Sequence, residues 1–157
     1  MEAAIRLAVA GDEGTLAELN AFVHELHVAQ NPAHFKPADR QEVAAWFRSL
    51  IEKPTVSIWL AEQDGVAAGY VSALVYERPE TPFSRARKWL EIDQIGVRAE
   101  CRRNGIARRL VERVVQSARE KGIRDVELTS WCFNENAQAA FRRLGFVPKY
   151  VRFTRPS

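Results

Sequence analysis

A mixed α/β domain is the fold class this sequence predicts, and three observations predict it. Runs rich in β-branched and aromatic residues alternate with stretches whose apolar residues recur at helical spacing. The dipeptide Asp64-Gly65 joins two of the β-rich runs, the strongest short hairpin signal. Near the C-terminus a strand, a turn, a helix and a second strand follow one another, the pattern of a crossover connection. No internal repeat and no Gly/Ser- or Pro-rich linker divides the chain, so its 157 residues are read as one domain, 1–157.

The elements follow in order. Residues 3–9 alternate loosely and form a short first strand. Asp12 is placed to cap a helix running to about residue 29, with Leu16, Leu19, Phe22, Val23 and Leu26 at helical spacing. Residues 31–37 are a loop, and Asp39 with Glu42 three positions on opens a second helix in the manner of a capping box. Its buried face holds Val43, Trp46, Phe47 and Leu50, and Pro54 ends it. Residues 55–63 and 66–76 are the strands of the Asp64-Gly65 hairpin. Residues 78–84, with Pro79 and Pro82, are a loop, and 89–97 are another strand. A turn containing Asn104-Gly105 leads into a helix reaching about residue 121. Its stripe is Ile106, Ala107, Leu110, Val111, Val114, Val115 and Ala118, and Gly122 terminates it. A strand over 125–133, a short helix over 136–144 ended by Gly145, and a last strand over 150–154 complete the order β-α-α-β-β-β-α-β-α-β.

Composition narrows the function classes. An apolar fraction of 46% with 27% charged residues is globular, and no run approaches the ~20 apolar residues needed to span a bilayer. The start, Met1 to Arg6, carries no basic segment followed by an apolar one, so no secretory leader is expected. Cys101 and Cys132 are too few for a disulfide framework, and the expected setting is a reducing cytoplasm. The net charge of +3 and pI near 9.1 invite a nucleic-acid reading, yet the charge is local. Arg98, Arg102, Arg103, Arg108 and Arg109 stand with a single acid, Glu100, a local excess of +4 that leaves −1 for the rest of the chain. A duplex footprint needs a wide basic face, so neither a nucleic-acid partner nor a membrane is expected. One Arg-rich spot suits an anion held at a defined place.

The chemistry-bearing stretch is Arg102-Arg103-Asn104-Gly105-Ile106-Ala107, between a strand and an amphipathic helix. Gly105 lets the backbone turn with its N–H groups outward, and the helix start adds unpaired donors and the positive end of its dipole. Together with the two arginines these groups make a diphosphate cradle built mainly from main chain. A Walker loop is excluded because no Gly-Lys-Ser/Thr follows, and a dinucleotide fingerprint needs three glycines. An ordinary helix start beside solvated arginines would read the same way locally.

Three motifs in register carry a resemblance. Arg102-x-x-Gly105-x-Ala107 resembles the Arg/Gln-x-x-Gly-x-Gly/Ala signature of GNAT-type N-acetyltransferases. Leu90 to Val97 resembles that family's fourth strand, and the run from Asn134 to Phe146 resembles its closing Asn-x-x-Ala…Gly-Phe motif; the likeness covers about residues 88–150. It implies a central, mostly antiparallel mixed sheet whose fourth and fifth strands splay apart, with acetyl-CoA as acetyl donor in the gap. Ile95, Gly96 and Val97 would lie along the pantetheine, with Ile95 and Val97 lending backbone groups. Arg102, Arg103, Asn104, Gly105, Ile106 and Ala107 would hold the pyrophosphate, and Asn134 would bond the cofactor from the far side. Backbone N–H groups on the acetyl oxygen would stabilise the oxyanion.

Direct transfer to a primary amine also needs a base, because an ammonium with a pKa near ~10 must first lose a proton. By strand alternation Glu91 and Asp93 share a face opposite Leu90, Ile92 and Gln94, and either is a candidate base; structural ion pairing would account for them equally well. Where the family often places a tyrosine acid this chain has Phe141, which has no proton to give. Tyr150 and Cys132 are substitutes to consider, although Cys132 has no nearby His to activate it. His24 and His27 at i, i+3 would need further ligands to bind a metal, and no metal is expected. The loop over 29–39 would help form the acceptor pocket, with His34, Phe35 and Trp131 touching the acceptor; the four tryptophans are otherwise expected in the core. The acceptor class implied is a small-molecule or peptide amine, and the resemblance leaves room for a homodimer. A non-catalytic CoA-binding sensor of the same fold is the alternative that Phe141 supports.

Overall fold

One five-stranded sheet organises the chain, in the order β1-β2-β3-β4-β5. The computed structural model describes residues 3–157. Strands β1 (Ala4–Leu7), β2 (Val56–Gln63), β3 (Val66–Arg78) and β4 (Arg87–Val97) pair antiparallel, and β5 (Asp125–Leu128) runs parallel to β4. Helices α1 (Glu13–Gln30) and α2 (Arg40–Ile51) cover one face. There Leu16, Leu19, Phe47, Leu50, Ile58, Leu60 and Tyr70 form a buried cluster. Helix α3 (Ile106–Glu120) covers the other face, with Leu110, Val111 and Val114 against Trp59, Val71, Leu90 and Ile92. Helix α4 (Glu135–Arg143) follows β5. The hairpin turn is the one its sequence demands, with positive φ at both Asp64 (52°) and Gly65 (78°).

Several expectations are corrected. Asp12 does not cap α1; its carboxylate takes two hydrogen bonds from the Arg6 guanidinium, at 2.8 and 2.9 Å, and one from the Val9 N–H. Asp39 does cap α2, accepting from the N–H groups of Gln41 and Glu42. Strand β5 ends at Leu128 rather than 133. Residues 150–154 form no strand: their alternation meets no partner edge, and Tyr150 and Phe153 are 74% and 90% exposed. Of the four tryptophans only Trp59 is buried, while Trp46, Phe22 and Leu26, assigned to the inward faces of α1 and α2, are substantially exposed.

Strand β4 departs from simple alternation. Ser72 pairs with Gln94 and Ala73 with Ile92, so Asp93 is an extra residue with no partner in β3, a β-bulge. The bulge reverses the phase of the strand. Leu90 and Ile92 before it, and Ile95 and Val97 after it, all pack toward α3. Gln94 and Gly96 therefore lie on the α1 side, and Gln94 does not share a face with Leu90 and Ile92 as simple alternation requires.

Candidate functional site

The bulge coincides with the point where β4 and β5 part. Their pairing runs from Trp89↔Asp125 to Ile92↔Leu128 and stops, so residues 93–97 of β4 have β3 on one edge only. The direction of the free edge follows from the antiparallel ladder. Arg98 N–H donates to Ala68 C=O, so positions 98 and 96 face β3 and positions 97 and 95 turn their N–H and C=O groups the other way. Ile95 and Val97 thus present main-chain polar groups to the gap.

At the end of the gap stands the turn before α3. Arg103 and Gly105 both have positive φ (66° and 74°), which points successive N–H groups outward, and no side chain caps α3. Arg102, Arg103, Asn104 and Gly105 are exposed, and Ile106 anchors the helix start in the core. Arg102 donates to Val97 C=O at 3.3 Å, tying the turn to the strand end. Arg98, counted with this basic spot in sequence, belongs elsewhere: it donates to Ala67 C=O and to Glu18 Oε1, pinning α1 to the sheet. The cradle therefore rests on two exposed arginines and a helix start. Exposed donors, a backbone turn with room for an anion, and an unpaired strand edge fit a pantetheine diphosphate such as CoA.

Opposite the gap, Asn134 begins α4, and its Oδ1 accepts from the Ala137 N–H at 3.3 Å. The turn it closes is held by Gln138, whose amide donates to the carbonyls of Trp131 and Cys132. Trp131 and Phe133 stack at 5.9 Å. Trp131 meets His34 at 5.0 Å and Phe35 at 5.4 Å, and His27 meets both Phe35 and Phe133. The three residues expected from sequence to touch the acceptor are thus brought together, in an aromatic wall joining the α1–α2 loop to the segment after β5. His24 and His27 each bond a backbone carbonyl, of Lys36 and Val23 respectively. Cys132 is exposed, Tyr150 stands out in solvent, and the ring of Phe141 packs edge-on against Phe146 at 6.1 Å.

Between wall and cradle lie the acids. Glu91 is half-buried, accepts the Trp89 indole N–H at 2.9 Å and stands opposite Glu127 in β5. Asp93 keeps an exposed side chain at the bulge, and partial loss of hydration, followed by the charge of Glu91, holds its carboxyl above the ordinary range. The structure also contains a buried triad that sequence reading missed. The Tyr70 hydroxyl donates to Gln94 Oε1 at 2.8 Å, and the Asn20 amide donates to both Tyr70 Oη (3.0 Å) and Gln94 Oε1 (3.1 Å). Burial, with Asp93 close by, keeps the phenol protonated far above its usual pKa. Gly96 beside it is required by space: a Cβ would lie 3.0 Å from the Tyr70 ring and 3.1 Å from Val23.

Comparison with known proteins places this geometry. The model of the acetyltransferase (GNAT) family matches residues 20–146, and the chain belongs to that family. Rat N-acetyltransferase 8F1 is 33% identical over 97 residues, 62% of this chain and 42% of the rat protein. The chain thus spans about two fifths of the length of the curated relatives it matches. Among solved structures, a variant of the BH1408 protein of Bacillus halodurans superposes with a TM-score of 0.93 at 22% identity, over 98% of this chain and 99% of that one. The aminoglycoside N-acetyltransferase AAC(6')-Iy in complex with CoA superposes at 0.76 with 20% identity, over 98% and 94% of the two chains. At these identities the likeness is one of fold.

Proposed function

We propose that this protein transfers the acetyl group of acetyl-CoA to a primary amine by direct attack. The observation that carries the reading is the coincidence of three features at one point of β4: the free edge of Ile95 and Val97, the uncapped Arg102–Ala107 turn, and a carboxylate at the bulge. Family membership and a CoA-bound neighbour of the same fold support the donor. When bound, acetyl-CoA supplies an activated thioester carbon. The residues do the remaining work. Main-chain N–H groups of Ile95 and Val97 orient the acetyl oxygen, and Arg102, Arg103, Asn104, Gly105, Ile106 and Ala107 receive the pyrophosphate. Asn134 caps α4 with its Oδ1, and its amide nitrogen is assigned to the cofactor's far side.

Of the two candidate bases, Asp93 is preferred. Glu91 is held by the Trp89 indole, whereas Asp93 has no cation or hydrogen-bond donor among the described residues and a proton affinity raised toward the range a base needs. Asp93 takes the ammonium proton, the amine nitrogen forms the new C–N bond, and the C–S bond breaks with the sulfur leaving as thiolate. Phe141 offers that thiolate no proton, so solvent protonates it; a thiol pKa near ~8.5 makes this inexpensive. His34, Phe35 and Trp131 form the acceptor-side wall.

The experiment is thiol release from acetyl-CoA across a panel of amines, with the acetylated product identified by mass. Acetyl-CoA binding with no product from any amine would replace transfer by the sensor alternative.

A further inference from the structure

Resting on the transfer reading, we infer that Gln94 is a positioning residue. The triad it forms with Asn20 and Tyr70 fixes the phase of β4 beyond the bulge and so aims the free-edge groups of Ile95 and Val97. Past Ile92 the strand has lost β5, and its backbone pairs with β3 alone. Packing of Ile95 and Val97 toward α3 chooses the inward face, but apolar contact is non-directional and sets the strand's rotation only loosely. Directional bonds come from the opposite face. Gln94 is the first paired residue after the bulge, and its Oε1 accepts from the Tyr70 hydroxyl at 2.8 Å and the Asn20 amide at 3.1 Å. The Asn20 amide also donates to Tyr70 Oη at 3.0 Å, which closes the triad.

The same tyrosine meets β4 a second time. Tyr70 pairs with Gly96, and its ring lies so close that a Cβ at Gly96 would be 3.0 Å from Tyr70 Cε1. Ile95 therefore stands between two positions that one side chain holds, Gln94 by its hydroxyl and Gly96 by its ring. Helix α1 completes the clamp: Asn20 belongs to it, and Val23 and the Leu19 carbonyl bound the space beside Gly96. The polarity of the triad is what needs a reason. Asn20 and Tyr70 are buried, and Tyr70 sits among Leu16, Leu19, Phe47 and Leu60, where apolar side chains would fill the space with nothing polar to desolvate. A fully satisfied polar network in such a place specifies one arrangement over its neighbours. In a bulged strand the neighbouring arrangement is a one-residue slip, which turns Ile95 and Val97 to the other face.

Two variants separate aiming from mere stability. Gln94→Met keeps the length of the side chain and removes the acceptor. The triple variant Asn20→Leu, Tyr70→Phe, Gln94→Met removes the whole triad and leaves no buried donor unsatisfied, so its melting point returns toward wild type. Both variants should bind acetyl-CoA in calorimetry as wild type does, because the Arg102–Ala107 turn is untouched. Both should lose kcat about ten- to a hundredfold with KM for acetyl-CoA unchanged, the mark of an interaction made in the transition state. Amide ¹H–¹⁵N spectra read the aim without turnover: acetyl-CoA shifts the Ile95 and Val97 resonances of wild type, and in both variants those shifts shrink while the shifts of the Arg102–Ala107 turn persist. A triple variant that recovers kcat along with its melting point, or keeps the Ile95 and Val97 shifts, overturns the inference, as does a wild type in which those resonances ignore acetyl-CoA. Shifts present in wild type and lost in the variants, with no product from any amine, keep the positioning role and overturn the transfer reading instead.

Discussion

Replacing Tyr70 by Phe removes one hydroxyl from the floor of the cleft and nothing else. The ring stays among Leu16, Leu19, Phe47 and Leu60, so the apolar contribution is unchanged. The hydroxyl gives one hydrogen bond to Gln94 and takes one from Asn20, while Asn20 and Gln94 keep their own bond at 3.1 Å. One buried N–H of Asn20 is left without an acceptor, a cost of about 1–3 kcal/mol. For a domain of this size about 2 kcal/mol lowers the midpoint by roughly 4–8 °C, read by circular dichroism or calorimetry. The pH dependence adds a signature. Tyr70 keeps its proton in the fold far above the usual phenol pKa, whereas in the unfolded chain it ionises near ~10. Above that pH the unfolded state holds fewer protons than the native state, so wild-type stability falls as pH rises. The variant lacks the group, and its deficit relative to wild type shrinks there. A midpoint within one degree of wild type, or a deficit that grows above pH ~10, would refute the account.

Three further outcomes follow from the same geometry. Asp93→Asn lowers kcat/KM by about 10²–10⁴ and abolishes the rise of rate with pH through the raised carboxyl pKa. Because ionised Asp93 is disfavoured in the fold, the same variant melts higher at neutral pH, and the gain vanishes below the ordinary carboxylate range; a lower neutral melting point counts against it. Gly105→Glu puts an anion at the turn proposed to hold the diphosphate, at a φ that L residues rarely adopt. Calorimetry should then find acetyl-CoA binding lost while circular dichroism stays native. Gly69→Ala puts a methyl 2.7 Å from the Gly96 carbonyl and 3.1 Å from Val97 Cγ2, forcing β3 and β4 apart. Its urea midpoint should fall by more than that of Gly14→Ala, where a Cβ meets nothing within 4 Å.

What the chain discloses about itself depends on how local each signal is. The α3 stripe from Ile106 to Ala118, the Asp64-Gly65 turn and the positive-φ glycine before α3 are set by neighbours a few residues away, and each is found where its pattern puts it. The bulge is different. Nothing around Asp93 marks it as an extra residue, because the mismatch arises against Ser72 and Ala73 some twenty positions earlier. Missing it reverses every assignment of face beyond it, as happens to Gln94. Arg98 misleads for a similar reason: its partner Glu18 is 80 residues distant, so a cation that pins a helix reads as part of an anion site. Tyr150 to Thr154 has the composition of a strand and lacks an edge to join. Among the candidate site residues, His34 and Phe35 were legible as aromatics of the 29–39 loop, whereas Trp131 was read within a strand over 125–133 that ends at Leu128. The triad of Asn20, Tyr70 and Gln94 was not legible, since its members come from three elements and none carries a motif.

The single extra residue in β4 has a geometric consequence. It splices the strand from two segments whose side chains alternate out of phase, so each segment answers to a different constraint. On the proposed reaction, substitutions before Asp93 bear on the acceptor without rotating the amides of Ile95 and Val97 at the free edge. Changes after it can reshape the free edge without turning Glu91 or Trp89 into the core. Taking Asp93 into the ladder as a paired residue would couple the two again, swinging Ile95 and Val97 toward α1 and Gln94 toward α3. One inserted amino acid thus separates the geometry of the two halves of the strand.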